Sequence, residues 1–137
     1  MGKTRRQIAR KNAVIGIYQY LVLGESLADV NEIKEFILDD QELLQDEEAC
    51  QFAIALFETT LNNLSQYCGE IARHLKKGWT IDRLSKFELA ILNVAACEIL
   101  ELETDKRIAI NEAVLLTKEY CDEGAYKFIN GILHSIL

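Results

Sequence analysis

The chain has 137 residues, half of them hydrophobic, no Pro, and a formal net charge of −7 at pH 7. That length suits one domain, residues 1–137, with a sizeable buried core, and the net charge excludes a general polyanion binder. The absence of Pro favours helices throughout, and no apolar run reaches the about 18–20 residues of a membrane span.

The first predicted helix is residues 3–23, KTRRQIARKNAVIGIYQYLVL, with Thr4 as its N-cap. Five of the fifteen cations, Lys3, Arg5, Arg6, Arg10 and Lys11, stand at its start, and no acid appears before Glu25. Cations at a helix N-terminus oppose the helix dipole and cost stability. They are read either as a solvated basic tail or as an anion site. Asn12, Gln19 and Tyr20 interrupt the apolar stretch that follows, which is unlike a secretory signal. A cytoplasmic protein with no membrane contact is expected.

Residues 25–58 carry eleven acids and one Lys. Such asymmetry fits a local anion site on a body that repels stray nucleic acid. A second helix is predicted over 27–38, with Leu27, Val30, Ile33 and Ile37 on one face and Asp39-Asp40 closing it. From 46 to 77, Ala53, Phe57, Leu61, Leu64, Cys68, Ile71 and Leu75 form a helical stripe, which Asn62-Asn63 divides in two. Gly78 is placed as the residue after that helix.

Trp79 to Lys86 reads as a connector containing a short turn capped by Thr80 or Asp82, with Trp79 as a core or inter-bundle anchor rather than a base-stacking platform. Phe87–Leu102 is apolar nearly all round and belongs at the centre of a bundle. Glu98 within it requires a partner or a surface edge. Helices over 109–121 and 125–137 complete the chain. The fold class is therefore all-α, a bundle of about six to eight helices.

Cys50, Cys68, Cys97 and Cys121 are widely spaced and read as reduced thiols, Cys121 being the one whose reactivity is worth checking. His74 and His134 have no metal-ligand spacing, so neither metal nor cofactor is expected. The chain lacks G-x-S-x-G, P-loop, G-x-G-x-x-G and H-E-x-x-H motifs. A binding module is favoured over an enzyme.

Four stretches, in order, resemble the NusB family of transcription antitermination factors. They are ARKNAVIGIYQY (9–20), GWTIDRLSKFELAILNVAACEIL (78–100), IAINEAVLLTKEY (108–120) and KFINGILHSI (127–136). The AINEAV and KFINGIL pair is the specific part. The resemblance implies two three-helix bundles and binding of boxA-type single-stranded RNA jointly with the small-subunit ribosomal protein NusE. Other Nus factors and RNA polymerase then join to suppress premature termination. The length leaves no room for the methyltransferase domain to which some NusB-like domains are fused, so a free-standing factor is expected.

Single-stranded RNA is held by cations on phosphates and aromatics under bases. The expected RNA-binding residues are Lys3, Arg5, Arg6 and Arg10, with Arg6 and Arg10 acting together from one helix face. Tyr18 is either core or contact on its own residues, and the resemblance tips it to contact. Lys127 and Asn130 join the set through the family's C-terminal motif. Glu88 matches an acidic position in the central motif, and with Asp82 it is expected to face the basic ribosomal partner. The rival reading is a helical protein–protein adaptor that binds no RNA.

Overall fold

The computed structural model describes residues 2–136. Eight α-helices follow one another: α1 (Arg5–Leu23), α2 (Val30–Leu38), α3 (Gln41–Leu44), α4 (Glu47–Asn62), α5 (Leu64–Arg73), α6 (Lys86–Leu100), α7 (Lys106–Tyr120) and α8 (Ala125–Ser135), with a 3₁₀ turn at Ile81–Arg83 before α6. Among the described residues there is no strand, and no helix is long and apolar enough to cross a membrane.

Six of the eight helix starts described have a side-chain cap. The side chains of Thr4, Asp29, Asp40, Asp46, Ser85 and Asp105 accept hydrogen bonds from first-turn N–H groups that have no partner inside the helix. Thr4 with Gln7, and Ser85 with Glu88, form reciprocal capping boxes.

Two boundaries differ from the sequence expectation. Asp29 caps α2 three residues late, which leaves Leu27 outside the helix and 75% exposed. Asp40 does not close a helix but opens the short α3, which buries Leu43. The expected short turn of the connector is the 3₁₀ turn Ile81–Arg83, with Thr80 at its N-cap position, and the central helix that follows is capped by Ser85 through a box with Glu88. The expected division at Asn62-Asn63 is present: the Asn63 amide group donates to the Thr59 carbonyl at 2.9 Å, and α5 starts at the next residue. Of the expected last helix, Leu137 lies outside the described residues.

Helices α1, α2 and α4 pack on one another, and α6, α7 and α8 do the same, with α5 laid on α6. These are the two three-helix bundles. They share one continuous core because α1 packs along α6 and α4 also touches it. A helix in that position must be apolar around most of its circumference, and residues 89–98 of α6 are all buried. On α1 three of the eight buried residues, Ala9, Ala13 and Gly16, are small. A Cβ at Gly16 would lie 2.8 Å from Ile37 Cδ1 and 3.1 Å from Ile33 Cγ2, so glycine is what lets α2 approach this closely. Asn12, also buried, donates from Nδ2 to the Ile37 carbonyl at 3.0 Å and so satisfies a last-turn acceptor of α2.

Candidate nucleic-acid interface

The basic start of α1 meets acids that the local sequence does not contain. Lys3 Nζ lies 2.8 Å from Glu119 Oε2 on α7, an ion pair that raises the lysine pKa and lowers that of the carboxyl. Arg5 donates to Gln45 Oε1 at 3.1 Å and lies 3.8 Å from Glu42. Arg6 places its guanidinium 3.9 Å from the Phe52 ring centroid and 3.9 Å from Glu48. The acids Glu42, Glu48 and Glu119 all lie at the surface, where water and salt screen such pairs and another anion exchanges readily for the carboxylate.

Arg10 is different, and the expectation that it binds phosphate is corrected here. Its side chain is 9% exposed and its Nε and Nη2 donate to the two carboxylate oxygens of Glu98 at 2.6 and 3.1 Å; the Glu98 side chain is 2% exposed. This fork-to-fork pair is the partner that Glu98 requires. Arg6 and Arg10 do share a face, since both stand over Phe52 at 3.9 and 5.4 Å. Only Arg6 is open to a ligand. Withdrawing Arg10 would leave Glu98 as a buried, unpaired charge.

Tyr18, half-buried on α1, begins a row of three rings. Its centroid is 5.2 Å from Phe87, which is 5.4 Å from Tyr120, both pairs tilted as aromatic quadrupoles prefer. The row borders a cleft of about 330 Å³ that also receives Lys86, Glu88 and Asp122. Phe87 and Tyr120 escaped the sequence reading because they lie on two other helices, and no local spacing links them to Tyr18. Cys121 lines the same cleft. Burial first, then Glu88 and Asp122, push its thiol up to about 11, so it stays protonated and the suspicion of a reactive cysteine is not supported.

The C-terminal candidates lie on α8. Lys127 is exposed, and Asn130 lies half-buried in a groove of about 250 Å³ with Arg107, Asn111 and His134. Phe128 packs its ring 6.3 Å from Trp79. Trp79 is no core anchor, for it is 48% exposed. Asp82 is exposed in the 3₁₀ turn. Glu88 is half-buried, and its Oε1 accepts from the Ser85 amide at 3.0 Å while Ser85 Oγ accepts from the Glu88 amide at 3.1 Å. A partner at Glu88 therefore meets a carboxylate already engaged in capping. Glu88→Lys should cost about 1 kcal/mol in a urea melt through loss of the cap and an adverse dipole term, and Glu88→Gln should melt like the parent. Equal melts for Glu88→Lys and the parent would show that the cap contributes nothing.

A model of the NusB family matches residues 7–137. The chain belongs to the NusB family. The transcription antitermination protein NusB of Finegoldia magna is 38% identical over 138 residues, covering 98% of this chain and 93% of its own. The structure of T. maritima NusB superposes with a TM-score of 0.84 at 31% identity, over 99% of this chain and 92% of that one. A structure of antitermination factors NusB and NusE in complex with dsRNA gives a TM-score of 0.83 at 27% identity, over 96% and 95%. Within the NusB-family fold, the basic end of α1 and the aromatic row are the features of this chain that suit a nucleic-acid ligand.

Proposed function

We propose that the chain is a transcription antitermination factor that binds boxA-type single-stranded RNA jointly with NusE. With other Nus factors it would help RNA polymerase pass premature termination signals on ribosomal RNA operons in the cytoplasm. The observation that carries this reading is the set of surface cations at the start of α1, Lys3, Arg5 and Arg6, held by exchangeable ion pairs in a NusB-family fold. Phosphates displace Glu119, Glu42 and Glu48 from these cations. Bases reach the Tyr18–Phe87–Tyr120 row, where a π-face serves any base. Lys127 and Asn130 extend the contact on α8. The acid-rich stretch over residues 25–58 repels nucleic acid outside this track and attracts a basic ribosomal protein. No chemical step is part of this role.

The test is an anisotropy titration with labelled boxA-type RNA, with and without NusE, at several salt concentrations. Binding should tighten with NusE and weaken steeply with salt, and a duplex of the same sequence should bind less well. If the chain captures NusE but neither it nor the pair binds the RNA, the protein is an adaptor and the reading fails.

A further inference from the structure

Residues 73–86 hold a second concentration of cations, Arg73, Lys76, Lys77, Arg83 and Lys86, against the single acid Asp82. In the middle stands Trp79, the chain's one Trp. The turn that presents it is built for the purpose: Gly78 takes φ +90°, a conformation side chains resist, and the Trp79 amide donates to the Lys76 carbonyl at 2.9 Å. The indole is 48% exposed and packed in part by two side chains. Phe128 of α8 packs against it at 42°, and the Arg83 guanidinium sits 5.4 Å from its ring while donating to the Gly78 carbonyl at 3.4 Å. Lys127, next to Phe128, is exposed.

We infer that Trp79 is a base-stacking platform for single-stranded RNA, with Arg83 and neighbouring lysines holding the flanking phosphates. The inference rests on the RNA-binding reading above and extends the track beyond α1 to a second basic centre. A large aromatic left half open among cations suits a ligand that offers both a flat π-face and negative charge. An unpaired base with its phosphate offers both, whereas a duplex hides its base faces. A basic ribosomal protein is repelled by these same cations, so the RNA is the occupant that the charge favours.

Because there is one Trp, its emission reports this turn alone. The full chain is titrated with labelled boxA-type RNA, reading anisotropy and Trp emission together. Emission should change with the same midpoint as anisotropy, and bound RNA should shield the indole from acrylamide. Trp79→Leu should weaken binding about tenfold, within the range of one lost base stack. Trp79→Phe should keep most of the affinity, and its unchanged circular dichroism would separate stacking from folding. Arg83→Gln should lower the salt slope by about 0.7. If anisotropy shows binding while emission, shielding and the Trp79→Leu affinity stay as in the parent, the platform is wrong and the RNA reading stands. If anisotropy shows no binding with or without NusE, the RNA reading itself falls and takes the platform with it. A Trp79 response to NusE alone, with none to RNA, would make the turn a protein contact and overturn the inference.

Discussion

Glu98→Ala lowers the unfolding free energy by about 3–5 kcal/mol, the cost of leaving a buried charge without its partner. Arg10 is buried in the seam where α1 meets α6, and it makes two charge-assisted hydrogen bonds to that one carboxylate. A domain of this kind has about 5–15 kcal/mol in hand, so the loss is a large share of the total. Urea denaturation measures it. The double variant Arg10→Met with Glu98→Leu should recover most of the loss, because apolar side chains of similar volume avoid desolvating two ions. That double variant also separates structure from function: its RNA affinity should keep the parent's salt slope. A flattened slope would show that Arg10 reaches phosphate after all.

The second large effect is on binding rather than folding. Replacing Arg5 and Arg6 together by Ala should flatten the dependence of log K on log salt by about 1.4, from two contacts at about 0.7 each on a single strand. Affinity near physiological salt should fall by at least tenfold, since charge-assisted hydrogen bonds contribute about 1.5–3 kcal/mol each. Stability should change by less than about 1 kcal/mol at Arg5, where both partners of the pair are exposed, and by up to about 2 kcal/mol at Arg6, which adds a stack on Phe52 worth a similar amount to its ion pair. An unchanged slope would remove Arg5 and Arg6 from the RNA site. Pairing Arg6 with Arg10 in such an experiment, as their four-residue spacing invites, would confound binding with unfolding.

Much of this protein is legible in the residues alone. The helical class, the break at Asn62-Asn63, the central position of the 87–100 segment and the need of Glu98 for a partner follow from periodicity and desolvation, which act over a few turns of chain. The resemblance of four ordered blocks to the NusB family is likewise a property of the sequence. The boundaries at Leu27 and Asp40 escaped because an Asp can end one helix or open the next, and packing selects between them.

The sequence by itself determined where the cations and aromatics lie along the chain. Tertiary structure decided what each one does. Charges four residues apart on α1 look equivalent until α6 arrives 88 residues later and takes Arg10 into the core with Glu98. Arg6, one turn earlier, stays at the surface over Phe52. Trp79 reads as core from its apolar ring, yet the turn at Gly78 holds it half outside, between Phe128 and Arg83. Burial and pairing depend on contacts between distant segments, and those long-range contacts separate a structural arginine from one free to bind RNA.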